Sequence, residues 1–124
     1  MSYKKLEIWI LARQVANEIH KMSLTLPKFE MYEEGSQIRR SSKSVKACIV
    51  EGYGRKIYTA EYLKFLVYAQ GSNDETRDHL ENLSETGSLQ DEQLFQQIHS
   101  MIDELGRKIY NFYKSVESDH KPSL

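Results

Sequence analysis

Between Lys4 and about Leu26, apolar side chains fall at Ile8, Leu11, Val15, Ile19, Met22 and Leu26, in alternating steps of three and four residues. A helix turns every 3.6 residues, so these positions share one face and predict a first helix. Pro27 lacks a backbone donor and disfavours the helical conformation at Leu26, which sets the expected stop just before it. Pro27 to Gly35 then reads as an ordered loop, with Phe29 and Met31 expected to tuck against the core. A second stripe, Ile38, Ser42, Val45, Ile49 and Gly52, predicts a helix from near Ser36 to the glycines Gly52 and Gly54. Thr59 is the expected N-cap of a third helix with inner positions Tyr62, Leu66, Ala69, Asn73, Thr76, Leu80 and Leu83, closed by Gly87. Ser88 and Asp91 resemble a capping box ahead of a fourth helix, about Leu89 to Ser118, whose stripe is Leu94, Ile98, Ile102, Leu105, Ile109, Phe112 and Val116.

Two long helices joined at Gly87 and Ser88 must lie antiparallel. The pattern therefore predicts an all-α fold, an up-and-down antiparallel four-helix bundle in a single domain, residues 1–118, with 119–124 a flexible C-terminal tail. A chain of 124 residues with only two prolines and six glycines suits that reading. The second stripe is the thin one. Its serines, Ala47, Cys48 and Gly52 admit a close neighbour but bury little apolar area, so large side chains on other helices must complete the core. Asn73 and Thr76, polar residues on an inner stripe, require hydrogen-bond partners across the bundle.

Charge changes the picture locally. The formal net charge is −1 and the pI about 6.4, so any attraction to a polyanion must come from a patch. Ser36 to Lys56 supplies one: Arg39, Arg40, Lys43, Lys46, Arg55 and Lys56 against Glu51 alone. Arg39, Lys43 and Lys46 recur at one-turn spacing, and Tyr53 and Tyr58 flank Arg55 and Lys56, offering rings on which a base can stack. Arg39, Lys43, Lys46, Tyr53 and Lys56 are thus the candidate nucleic-acid-binding residues. A solvated helix face, partly neutralised by acidic neighbours, explains the same run. Arg40, Glu51, Arg55, Asn73 and Glu75 are the candidates for a structural or intersubunit polar network. Acidic residues gather later, at Asp74, Glu75, Asp78, Glu81, Glu85, Asp91, Glu92, Asp103 and Glu104. Such segregation also suits copies of the chain packed head to tail as a homo-oligomer.

Chemistry is sparse. The single Cys48 cannot form an internal disulfide and suits a reducing compartment, and neither a signal core nor a membrane span is evident, so a cytoplasmic location with no membrane partner is expected. The four histidines do not form the paired Glu-x-x-His units of a di-iron bundle. There is no phosphate loop or dinucleotide fingerprint, and no serine with a recognisable base. The expectation is a non-enzymatic protein with no catalytic residue, metal, cofactor or small-molecule substrate.

Taken together, Trp9, Gln37-Ile38-Arg39-Arg40, Ser44-Val45, Ile49, Glu51-Gly52-Tyr53-Gly54-Arg55, Tyr62 with Phe65-Leu66, Ala69-Gln70-Gly71-Ser72 and Glu75-Thr76 resemble the four-helix-bundle proteins encoded by intervening sequences in bacterial 23S ribosomal RNA genes. The resemblance covers most of residues 6–86, and the fourth helix matches in pattern. It implies an up-and-down bundle assembling into a ring-like homopentamer, similar to the accessory bundle protein of diversity-generating retroelements, with ribosomal or nucleic-acid association as the suggested role. The chain departs from the family pattern at Cys48, where Asn is common, and at Ser41 and Ser42, where a small apolar residue is usual. Gln37, Arg39, Arg40, Glu51 and Arg55 are the matching positions to which the resemblance directs attention, whether for a ligand or for assembly.

Overall fold

The computed structural model describes residues 2–119; the tail expected at 119–124 lies outside them beyond Asp119. A 3-10 turn, Tyr3–Lys5, leads into α1, Glu7–Ser23. Helix α1 stops three residues earlier than Pro27 alone would require. Ser23 Oγ donates to the His20 carbonyl and Thr25 Oγ1 to the Met22 carbonyl, at 2.8 and 2.7 Å, so local hydroxyls take up acceptors of the last turn. Leu26 stays buried although it is no longer helical.

The expected loop contains a one-turn helix, α2, Lys28–Tyr32, nucleated where the Pro27 carbonyl accepts the amides of Glu30 and Met31. This turn swings Phe29 outward, leaving it 67% exposed rather than tucked inside. Helix α3, Glu34–Gly54, starts two residues ahead of the expected Ser36 and ends at the expected glycines, with Gly52 buried on its inner stripe. Helix α4 is Thr59–Glu85. Thr59 is its first helical residue and makes no cap; the extended Tyr58 precedes it without a side-chain cap bond.

Gly87 carries φ +80°, the left-handed conformation that glycine adopts freely, and reverses the chain while Leu89 donates to the Leu83 carbonyl at 2.9 Å. Helix α5, Glu92–Asp119, is capped by Asp91, whose Oδ1 accepts the Leu94 amide at 3.0 Å. Ser88, expected to share that capping role, instead donates to Glu30 Oε2 at 2.7 Å and pins the α4–α5 turn to α2.

The four long helices form an antiparallel bundle in the cyclic order α1, α3, α4, α5. One apolar cluster runs through it, with Val15, Ile19, Ile38, Ile49, Leu66, Leu80, Ile102 and Leu105 almost fully enclosed. The small face of α3 meets large residues as the packing argument required: Gly52 lies under Tyr62 and Phe65 of α4. Asn73 donates to the Ile102 carbonyl at 3.0 Å, and Thr76 meets Ser41 at 2.8 Å, so both polar residues on the inner stripe of α4 find partners on a neighbouring helix. The Asn73 acceptor oxygen is buried without one.

Candidate nucleic-acid interface

Helical periodicity and the observed contacts divide α3 into two edges. Arg39, Lys43, Lys46, Val50 and Tyr53 follow the three-four spacing along the edge facing α1, to which Arg39 is bonded. Gln37, Ser41, Ser44, Cys48, Glu51 and Arg55 follow the edge facing α4, where Ser41 meets Thr76, Ser44 meets Ser72 at 2.9 Å, and Arg55 reaches Glu61. Arg40 lies between these edges, on the outermost strip.

Arg39 and Arg40 exchange the roles that spacing suggested. Arg39, expected in the exposed row, turns inward: Nη1 donates to Ser23 Oγ at 2.9 Å and Nη2 to the Met31 carbonyl at 3.0 Å, tying α3 to the end of α1 and to α2. Its reason is the early stop of α1, which leaves polar atoms within reach. Arg40, expected in the structural network, is exposed and has no carboxylate partner among the described residues. It shares an open groove of about 580 Å³ with Gln37, Glu75 and His79, and Glu75 makes no ion pair among the described residues. His79 is taken up by Glu34 at 2.7 Å.

Glu51 and Arg55 do pair, at 3.6 Å, and Arg55 also stands 5.1 Å above the Phe65 ring. Glu61, near the same guanidinium, is held below the usual carboxylate range, chiefly by its hydrogen bond to Lys64. Lys43 is exposed and Lys46 half-buried, with no ion pair for either among the described residues. Tyr53 is not an open stacking platform: the Lys56 ammonium lies 3.8 Å from its ring centroid and Tyr3 approaches it edge-on. Tyr58, 66% exposed, is the freer ring. Cys48 is half-buried and its thiol is pushed up by burial, so it is a poor nucleophile at neutral pH.

Sequence spacing within the basic segment missed the contribution of α1. Its α3-facing edge is Trp9, Arg13, Ala16, His20 and Ser23, again at three-four spacing, with Arg13 and His20 exposed. Neither facing edge contains an acidic residue. The signal was present in the periodicity of α1, one register away from the apolar stripe.

Charge is segregated along the chain. Residues 2–58 hold eleven Lys or Arg against six Asp or Glu; residues 59–119 hold five against twelve. The pairing follows the same division. Lys64, Arg77, Lys108 and Lys114 on α4 and α5 each meet a carboxylate, and only Arg107 does not among the described residues there. Lys4, Lys5, Arg13, Lys28, Arg40, Lys43 and Lys46 have no ion pair among the described residues. In this half, only Lys21 and Arg55 pair with a carboxylate among the described residues.

No group of three or more His, Cys, Asp or Glu side chains is arranged to hold a metal among the described residues, and no described helix is long and apolar enough to cross a membrane.

The architecture defines a class, the antiparallel four-helix bundles. Within it, the family model of the 23S rRNA-intervening sequence protein matches residues 4–111, and the chain belongs to that family. A crystal structure from Bacteroides thetaiotaomicron VPI-5482, a protein with unknown function from the S23 ribosomal protein family, has the same fold: TM-score 0.77 at 23% identity, covering 86% of this chain and 95% of that one. No curated protein matches the chain.

Proposed function

We propose that this protein is a non-enzymatic RNA-binding bundle whose contact surface is the α1/α3 face. The observation that carries the reading is the set of unneutralised cations there, Arg13, Lys43 and Lys46, on two helix edges free of acidic residues. Ammonium and guanidinium groups with no ion pair among the described residues are available to displace counterions from phosphates. The family name supports RNA as the polyanion. Arg39 belongs to the scaffold of this face rather than to its contacts.

The test is retention of a structured 23S rRNA fragment as a function of salt. Affinity should fall linearly with log salt, at about −0.7 to −0.9 per phosphate neutralised. Replacing Lys43 and Lys46 together by Ala should make that slope shallower by about 2, and Arg107→Ala, on the other half, should leave it unchanged. A slope indifferent to Lys43 and Lys46 would remove the α1/α3 face from consideration.

The charge division favours a second reading, in which the basic half of one copy packs against the acidic half of the next and the protein is an assembly scaffold, a pentamer by resemblance. Light scattering on the same variants separates the two. Under the scaffold reading, the double variant loses mass; under the RNA reading, mass holds while the salt slope falls.

A further inference from the structure

The α4/α5 face, opposite the basic one, has an organisation of its own. Val67, Asp74, Asp78, Glu81 and Glu85 follow three- and four-residue steps, apart from the single seven-residue step across Gly71, and so form one outer strip of α4. That strip borders α5, since Gln70, Asn73 and Arg77 beside it bond to Gly106, Ile102 and Asp103. Because α4 and α5 run antiparallel, the start of α4 lies beside the end of α5. There the surface is apolar: Val67 is 54% and Tyr110 55% exposed. Between them opens a hollow of about 170 Å³ walled by Leu66, Val67, Ile109, Tyr110 and Tyr113. Toward the other end the surface turns acidic. Asp74 and Asp103 are held by Arg77 and Glu81 by His99, while Asp78 and Glu85 have no ion pair among the described residues. Between the two ends, a second groove of about 480 Å³ shares Gln70 and Tyr110 with the hollow.

We infer that this face docks a helical polypeptide segment of a partner protein, one that seats an apolar or aromatic side chain in the hollow and lays Lys or Arg along the acidic strip. The apolar hollow calls for an anchor, and the uncompensated carboxylates select cations and repel nucleic acid. Val67 and Asp78 are eleven residues apart on α4, a span of about 16 Å. A helix laid alongside therefore needs its first cation about eleven residues from its anchor. Arg107 and Lys114 also border the face, but Lys114 is engaged by Glu117 and by the Tyr110 ring. Lys64 and Arg77 are likewise paired with carboxylates, which leaves Arg107 as the cation of this face without an ion pair among the described residues, and it opposes the assignment.

The experiment uses the full chain and a fluorescein-labelled helical peptide with a Leu-Phe anchor followed, about eleven residues on, by three lysines. Anisotropy should show saturable binding that weakens with salt. Asp78→Lys with Glu85→Lys, and separately Tyr110→Ala, should each weaken it about tenfold, with thermal melts unchanged. A peptide with glutamates in place of the lysines should not bind. The Lys43 and Lys46 double variant should bind the peptide normally, which keeps this result independent of the RNA reading. Equal binding of both peptides, or indifference to both sets of substitutions, would overturn the assignment. So would a Val67→Lys variant that lowers the light-scattering mass while the wild type excludes the peptide, because a second copy would then occupy the face.

Discussion

Arg39 joins three helices, its guanidinium reaching from α3 to Ser23 at the end of α1 and to Met31 in α2. Spacing placed it in a row with Lys43 and Lys46; the fold spends its guanidinium on Ser23 Oγ and the Met31 carbonyl. Hydrogen bonds from a charged donor contribute about 1.5–3 kcal/mol each, so Arg39→Ala should lower the denaturation midpoint by several times what Lys43→Ala does. Arg39→Lys should recover only part of the loss, because an ammonium does not reproduce the planar fork that reaches both acceptors. Denaturant titration of the three variants checks this. Tyr62 offers a second residue-scale test. Burial, with a smaller contribution from Tyr53, pushes its hydroxyl up to about 12. A folded-state pKa above the unfolded value of about 10 means that the unfolded chain gives up this proton first. Stability from this group is therefore intact below about pH 10 and is lost as pH rises toward 12. Tyr62→Phe should remove part of the alkaline loss seen in an unfolding series from pH 9 to 12, and an unchanged profile would assign that loss to other tyrosines or lysines.

At the scale of elements, the long stripes were legible because the physics behind them is repetitive. Tyr62, Leu66, Ala69, Asn73, Thr76, Leu80 and Leu83 are all buried on α4, and Ile98, Ile102, Leu105 and Ile109 on α5. What escaped were the helix ends and the joint between α1 and α3. Capping there depends on which of several nearby hydroxyls and carboxylates wins: Asp91 rather than Ser88, Tyr58 without a cap rather than Thr59. The candidate site was half legible for a related reason. Its cations could be counted, but which edge of α3 met α1 was decided by tertiary packing, and that separated Arg39 from Arg40. Two glycines test the packing itself. A Cβ on Gly52 would stand 3.0 Å from the Phe65 Cβ and 3.2 Å from Tyr62 Cδ1, whereas one on Gly71 would meet nothing within 4 Å. Gly52→Ala should push α3 away from α4 and destabilise by about 1–3 kcal/mol. Gly71→Ala should stabilise by about 0.5–1 kcal/mol through helix propensity alone. Opposite shifts of the thermal midpoint are the expected result.

For the whole molecule, the near-zero net charge conceals two opposed halves, and the bundle keeps them apart because α1 and α3 adjoin each other, as do α4 and α5. The halves meet along two seams: between α3 and α4, where Arg55 reaches Glu61 and Glu34 reaches His79, and between α1 and α5, where Lys108 bridges Glu7 and Glu104. Glu7 and Glu104 raise the Lys108 pKa, chiefly through the Glu7 hydrogen bond. The basic and acidic faces can therefore be altered separately, which is why the RNA and peptide experiments each serve as a control for the other.

The N-terminal turn rests on the end of α3 through rings: Trp9 meets Tyr3 edge-on at 5.4 Å, and Tyr3 meets Tyr53 at 6.5 Å, with Lys56 over the far ring. Trp9 is the sole tryptophan of the chain. Its fluorescence thus comes from one place, beside the edge of the basic face, and a ligand settling there has a built-in optical reporter that needs no label.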